Sequence, residues 1–159
     1  MQTMAPGEIL GKLAGFPIRV FERGDVVLAQ GSMTGRLLFL KQGVVDIVME
    51  EVFLTRVTEP GAVFGDVALL LQQPHTADVL AVESSSFYVV EEAEAFLRSE
   101  PLAALYVATV LAGRLYGVNH LLIEARNRAA EAGARRGFVM DLVERLGRAL
   151  QLRVPPRSP

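Results

Sequence analysis

The sequence predicts a mainly β domain followed by helices, and three patterns support this fold class. Between residues 18 and 90 the chain is a series of short runs rich in β-branched and aromatic residues. Glycines and one Pro-Gly pair separate nearly all of these runs, which is typical of a small antiparallel sandwich or barrel. Beyond residue 91 the apolar spacing becomes helical. We therefore expect one β-domain with a long helix over residues 1–130, and a helical appendage with a proline-rich tail over residues 131–159.

The β-region contains seven runs that we expect to be strands. Alternation of apolar and polar residues is clearest in residues 45–49 and 53–57, and Glu50-Glu51 is a short charged link between them. This pair of runs predicts an antiparallel hairpin with its turn at the two glutamates. In chain order the seven runs read IRVF, DVVLA, RLLFL, VVDIVM, VFLTRV, ADVLAV and SFYVV.

Two helices are predicted to follow the strands. EEAEAFLRSE reads as a short helix, and Pro101, suited to a first helical position, opens a helix that we expect to exceed about twenty residues. Its apolar residues fall on two stripes, so it either covers its own domain with both faces or pairs with a second copy through residues 101–126. The first stripe contains Leu102, Leu105, Thr109, Ala112, Tyr116, Asn119 and Ile123, and the second contains Val107, Leu111, Val118 and Leu122. After this helix, a further amphipathic segment carries Phe138, Leu142, Val143, Leu146 and Leu150 on one face.

Bulk composition narrows the class of protein. Apolar residues make up 51% and charged residues 21% of the 159, as in an ordinary globular protein. The net charge of −2 provides no overall positive field for nucleic acid. Cysteine is absent, and neither a signal peptide nor an apolar stretch of membrane-spanning length is evident. We expect a cytoplasmic protein that binds neither nucleic acid nor membrane.

Catalytic and metal chemistry have little support in the sequence. The chain contains two histidines, His75 and His120, which are far apart and provide too few ligands for a metal centre of the cupin type. The run Ser84-Ser85-Ser86 lacks the surroundings of a nucleophilic serine. We predict no catalytic activity, no metal and no cofactor, and we interpret His120 as an ordinary surface or helix-seam histidine.

The segment from Phe64 to Val79, FGDVALLLQQPHTADV, is the strongest candidate for a binding site. Its residues predict a turn at Gly65 followed by one or two helical turns, with Pro74 ending the loop before the next strand. Backbone N–H groups at such a turn bind anions well, and glycine permits close approach. An anion could contact the amides of Val67, Ala68 and Ala77 and the hydroxyl of Thr76.

The order short helix, β-roll, 64–79 segment, short helix and long helix resembles the cyclic nucleotide-binding domain family, over about Gly7 to Arg126. The 64–79 segment is similar to the family's phosphate-binding cassette, F-G-E-[LIV]-[AG]-L followed by P-R-[TS]-A. The resemblance implies an antiparallel β-roll of jelly-roll type with an N-terminal helix, and cyclic AMP or cyclic GMP as the ligand. It implies ligand contacts at Phe64, Gly65, Asp66, Val67, Ala68, His75, Thr76 and Ala77, with the base near Val118 and Asn119 on the long helix.

Two residues depart from the family pattern at polar positions. His75 stands where the family has arginine, and a neutral histidine cannot provide the charged, forked grip of a guanidinium on a phosphate. Asp66 stands where the family has glutamate, whose carboxylate accepts a hydrogen bond from the ribose; its shorter side chain could instead be an N-terminal helix cap. Asn119 has two readings as well: it could contact the base, or fix the register of a helix pair.

Two functional hypotheses follow from these departures. In the first, the domain is a sensor that binds a cyclic nucleotide and signals through movement of its C-terminal helix. In the second, the fold is a dimerisation or interaction module that has lost the nucleotide. The roughly thirty residues after Arg126 are too few for the helix-turn-helix domain of the family's bacterial transcription factors, so the chain is a stand-alone sensor or a fragment of a longer regulator or channel.

Overall fold

The computed structural model of the chain describes residues 4–131. Within these residues strands and helices follow the order that the sequence predicts. The helices are α1 Pro6–Lys12, α2 Asp66–Leu71, α3 Ala93–Ser99 and α4 Pro101–Glu131. The strands are β1 Ile18–Phe21, β2 Val26–Leu28, β3 Leu37–Gln42, β4 Val45–Met49, β5 Val52–Val57, β6 Val63–Phe64, β7 Asp78–Ala81 and β8 Ser85–Val90.

The strands of residues 4–131 form two four-stranded sheets, in the orders β1-β8-β3-β6 and β2-β7-β4-β5. Every strand pair is antiparallel. The predicted β-roll with an N-terminal helix and C-terminal helices is therefore confirmed. All seven predicted runs contain a strand, and the sequence missed β6, a two-residue strand that pairs through Leu38↔Phe64 and Phe39↔Val63.

The two sheets enclose an apolar core in which aromatic rings meet edge to face. Phe87 of β8 is completely buried, and its ring centroid lies 5.6 Å from that of Phe21 and 6.0 Å from that of Phe64. Edge-to-face contacts of this kind stabilise a core beyond the simple burial of apolar area. Because Phe64 comes directly before the Gly65 turn, the core fixes one end of the 64–79 segment.

The predicted β4–β5 hairpin is present, with Met49 paired to Val52 across the two-residue turn. Both turn residues are left-handed, at φ 50° for Glu50 and 65° for Glu51. Hairpin turns of two residues favour this conformation because its twist matches that of the strands, but Asn and Gly adopt it more readily than Glu. The N–H of Glu50 donates to Oε1 of Gln30 at 3.0 Å, which ties the turn to the β2–β3 loop.

Replacing the turn by Asn-Gly (E50N/E51G) should stabilise the protein by about 1 kcal/mol. Each left-handed non-glycine residue is disfavoured by about 1–2 kcal/mol, and the greater chain entropy of glycine offsets part of the gain. Urea unfolding measures the change. The control is Glu83→Gln, which removes an exposed carboxylate from a residue whose φ is not positive and so shows the effect of charge alone. A variant no more stable than that control would contradict the proposed strain.

Helix α4 begins at Pro101 and spans 31 residues, as its predicted length of more than twenty requires. In its first turns Ala103, Tyr106 and Val107 are buried, and the Tyr106 hydroxyl donates to the carbonyl oxygen of Gly61 at 2.9 Å. The chain forms two compact units, Met1–Val110 and Leu111–Pro159, and the boundary between them lies within this helix. The predicted appendage over 131–159, with its amphipathic segment, lies outside the described residues apart from its first residue.

Beyond Val110 several large apolar side chains of α4 are exposed. By length and composition, the part of α4 from Pro101 to Arg128 is long and apolar enough to cross a membrane. The expectation that no stretch approaches this length was therefore wrong, because Arg114 is the single Lys, Arg, Asp or Glu between Pro101 and Ile123. Core helices of soluble proteins pass the same test. The exposed residues are Leu115, Tyr116, Val118, Leu121 and Ile123.

Candidate functional site

The candidate site is built around the turn at Gly65, between β6 and α2. Gly65 has φ 88°, a left-handed conformation that L side chains rarely adopt. A Cβ atom placed there would lie 2.4 Å from the carbonyl oxygen of Arg36, which belongs to the backbone before β3. Both the torsion and the close packing therefore require glycine, and the turn is held against the β2–β3 loop.

The first turn of α2 contains the amides that the sequence predicted as anion donors. The first α-helical bond runs from the N–H of Leu69 to the carbonyl oxygen of Gly65, at 3.0 Å. The N–H groups of Val67 and Ala68 come before it and have no acceptor inside the helix, as at any helix start. The predicted turn followed by a short helix is therefore confirmed, and it leaves these two amides at the end of α2 next to Gly65.

Asp66 is the first residue of α2 and is 3% exposed. Gly65, not Asp66, occupies the N-cap position, and the turn has no side-chain cap bond. The interpretation of Asp66 as the N-cap was therefore wrong by one position, although a carboxylate in the first turn still favours the helix electrostatically. The Asp66 carboxylate is nearly enclosed, so a ligand could reach only a small part of it.

His75 lies at the far end of the 64–79 segment and is 7% exposed. Its N–H donates to the carbonyl oxygen of Ser32, and its own carbonyl accepts from the N–H of Gly31, both at 2.8 Å. In the ring, Nε2 forms a hydrogen bond with Oγ1 of Thr34 at 3.0 Å. Burial holds the pKa of His75 below its usual 6.5, because the charged ring loses solvation there.

The fold brings the two ends of the segment together. Cε1 of His75 lies 3.6 Å from the position that a Cβ would take at Gly65, so the ring is packed against the turn. Thr76 is exposed and Ala77 is half-buried, just before β7. The side chain of Phe64 belongs to the core, which leaves only its backbone for a ligand.

The two remaining predicted residues, Val118 and Asn119, lie in the second unit, where Val118 is exposed and Asn119 is half-buried. Their contact with a base stays a prediction. His120 is exposed and its ring lies 4.4 Å from that of Tyr116, as expected of a surface histidine.

Sequence reasoning missed the loop between β2 and β3, residues 29–36, as part of the site. Five of its members contact the segment. Thr34 bonds the His75 ring, and the N–H of Gln30 donates to Asp78. The other three, Gly31, Ser32 and Arg36, contact it through their backbone. The glycines at 31 and 35 marked this stretch as a loop. Nothing in the local pattern indicated that it would pack against residues forty positions later.

Comparison with known proteins places these features in a family. A hyperpolarization-activated cyclic nucleotide-gated channel 3 of Rattus norvegicus is 26% identical over 140 residues, covering 86% of this chain and 18% of the channel. The cyclic AMP receptor protein of Thermus thermophilus is 30% identical over 140 residues, covering 81% of this chain and 65% of that protein. The chain thus spans about a fifth of the channel's length and just under two thirds of the receptor's.

The fold comparison agrees with the sequence comparison. The crystal structure of Thermus thermophilus catabolite activator protein superposes with a TM-score of 0.62 at 25% identity, covering 96% of this chain and 88% of that one. The family model of the cyclic nucleotide-binding domain matches residues 18–99, more than half of the chain and including all of the 64–79 segment. On this evidence, the chain belongs to the cyclic nucleotide-binding domain family.

Proposed function

We propose that the chain is a regulatory sensor that binds a cyclic nucleotide at the 64–79 segment. The observation that carries the proposal is the contact between the two ends of this segment. Cε1 of His75 lies 3.6 Å from the Cβ position of Gly65, the residue that precedes α2. The amides of Val67 and Ala68, which have no acceptor inside the helix, follow this turn. A cyclic phosphate is a compact anion, and backbone amides at a glycine turn suit it.

The individual contacts that we propose follow the segment. The phosphate accepts from the amides of Val67, Ala68 and Ala77 and from the exposed hydroxyl of Thr76. Asp66 accepts from the ribose directly or through a water, because its carboxylate is short and nearly buried.

For the identity of the nucleotide we propose cyclic AMP, supported by the name of the Thermus thermophilus relative. Cyclic GMP is the alternative ligand. Signalling would follow from a shift in the position of α4 when the nucleotide binds. We further propose that the protein is cytoplasmic and without catalytic activity, in keeping with its similarity to a receptor.

A homodimer through residues 101–126 is part of this proposal. Exposed apolar side chains along α4 support it, because large apolar side chains left exposed on a soluble chain favour an interface. Tyr116 and Leu121 are 67% and 65% exposed, the largest exposed fractions among the large apolar residues of α4 that the structure describes. Sedimentation of the chain and of the Leu121→Glu variant would measure the dimer.

Calorimetric titration with cyclic AMP and cyclic GMP tests the sensor, with 5′-AMP as a matched ligand that lacks the cyclic ester. Binding of a cyclic nucleotide but not of 5′-AMP is expected. His75→Arg should bind about tenfold to a hundredfold more tightly near pH 8, since a charged hydrogen bond to phosphate contributes about 1.5–3 kcal/mol. Circular dichroism and thermal unfolding verify that the variant is folded. No heat at millimolar ligand would refute the sensor.

One observation favours the second candidate, an interaction module without nucleotide. The two polar side chains that depart from the family pattern are both buried, and the ring of His75 is bonded to Thr34. A fold that has lost its ligand would use such groups for its own packing. A stable dimer that shows no response to either nucleotide would identify this module.

A further inference from the structure

His75 is a built feature of the site and not a mobile surface histidine. Two backbone hydrogen bonds of 2.8 Å, to Gly31 and Ser32, fix its main chain. The residue is only 7% exposed to solvent. The ring is held by Thr34 on one side and packed against the Gly65 turn. Its position is therefore set before any ligand arrives.

The Thr34 hydroxyl can serve either protonation state of this ring. Its Oγ1 accepts from the N–H of Arg36 at 3.4 Å and lies 3.0 Å from Nε2 of His75. A hydroxyl has one hydrogen to donate and two lone pairs to accept with. It therefore donates to Nε2 of a neutral ring and accepts from Nε2–H of a charged one, so protonation need not break the bond.

The second ring nitrogen, Nδ1, is available to a ligand. In the described residues every buried side-chain nitrogen and oxygen has a hydrogen-bond partner, and the hydrogen bond of the His75 side chain is the one from Nε2 to Thr34. Nδ1 therefore keeps some contact with solvent. Because Nδ1 is bonded to Cε1, the atom nearest Gly65, it lies close to the turn where we place the phosphate.

The charged groups around His75 do not neutralise a proton on its ring. Desolvation is the cause of its lowered pKa. On the neighbouring elements, Arg36 pairs with Glu91, and Asp78 accepts from the N–H of Gln30 at 2.7 Å. Asp66, at the start of α2, has an interaction of its own. The ring is therefore neutral near pH 7 in the free protein, and a bound anion would supply the missing counter-charge.

We propose that this site binds its cyclic phosphate together with a proton, which His75 takes up at binding and Thr34 orients. The inference rests on the proposed function and adds its regulation: the sensor reads nucleotide and pH jointly. A phosphodiester keeps one negative charge at all pH values near neutrality, so the group that titrates belongs to the protein and not to the ligand. The proton ends on the imidazole, whose Nδ1–H donates to a phosphate oxygen while Nε2–H donates to Thr34.

The direction of the pH dependence follows from linkage. The free ring titrates below its usual value and the bound ring above the free one, so affinity rises as the pH falls through the bound pKa. It levels off below the free pKa, where both states are protonated. Because a charged hydrogen bond is stronger than a neutral one, cyclic AMP should bind about tenfold or more tightly at about pH 5.5 than at about pH 8.

Calorimetry on the whole chain tests the inference directly. Cyclic AMP is titrated between about pH 5.5 and pH 8 in pairs of buffers with unlike ionisation enthalpies, and the difference in heat gives the protons taken up. Uptake that approaches one proton per ligand within this range is expected. His75→Gln should bind with a pH-independent affinity and no uptake, and His75→Arg likewise but more tightly. His120→Gln, the matched control at the other histidine, should behave as the parent.

The role of Thr34 has its own measurement. Thr34→Val keeps the shape of the side chain but removes the hydroxyl, and should lower the pKa of the His75 imidazole followed by NMR in the bound state; Thr34→Ser should restore it. Equal affinity at every pH without proton uptake would overturn this inference and leave the proposed function standing. So would pH dependence that survives His75→Gln. No binding at any pH would overturn both.

Discussion

Gly65→Ala should lose nucleotide binding and destabilise the protein by about 2–5 kcal/mol. The left-handed torsion of 88° contributes about 1–2 kcal/mol of this for a residue with a Cβ. The remainder, about 1–3 kcal/mol, comes from overpacking, because the new methyl group would meet the backbone oxygen of Arg36 at 2.4 Å. Any rearrangement that relieves this clash moves the Gly65 turn away from the β2–β3 loop, and the amides of α2 move with the turn.

Gly24→Ala is the control that separates torsion from packing. Gly24 has nearly the same φ, 91°, but no atom lies within 4 Å of its Cβ position. It should therefore show the torsional part alone, about 1–2 kcal/mol, and retain binding. Urea unfolding and calorimetry on both variants make the comparison. If the two variants are equally stable and bind equally well, the contact between Gly65 and Arg36 has no role.

Phe87→Ala should destabilise the fold by about 3–5 kcal/mol, the usual result of removing a large ring from a fully enclosed position. Phe87 is 0% exposed and its ring meets those of Phe21 and Phe64. Phe87→Leu keeps most of the volume and should lose less than half as much. Ligand affinity, measured where each variant is folded, should fall more for alanine, because Phe64 then loses the support that fixes the Gly65 turn. Equal losses for alanine and leucine would argue against the cavity and for a role of the ring contacts alone.

Local patterns were enough to predict most of the β-roll. Alternation and glycine spacing located β4, β5 and their turn, and Pro101 marked the start of α4. The strand β6 was missed because two residues, Val63 and Phe64, are too few to show a period. It is a strand through its pairing with Leu38 and Phe39, which lie about twenty-five positions earlier in the sequence.

The candidate site was predicted in its backbone and not in its side chains. Gly65 and the short helix follow from local torsional preference, which a sequence reveals. The burial of His75 arises from contacts with Gly31, Ser32 and Thr34, more than forty residues away, which a local pattern does not encode. Resemblance identified His75 as a weakened phosphate ligand; its hydroxyl partner and the resulting coupling to protons required the structure.

Helix α4 is continuous across the boundary at Val110, so a change in its length would alter the orientation of its later side chains. Its first turns are anchored to the β-roll by Tyr106 and its bond to Gly61, while the same helix continues into the second unit. Each residue of an α-helix advances by about 100° around the axis. One residue inserted after Val110 would turn the later residues of α4 by that angle around the helix axis and leave the anchored first turns unchanged. The direction in which the later side chains of α4 point is therefore set by the number of residues in the helix and not by the composition of the β-roll.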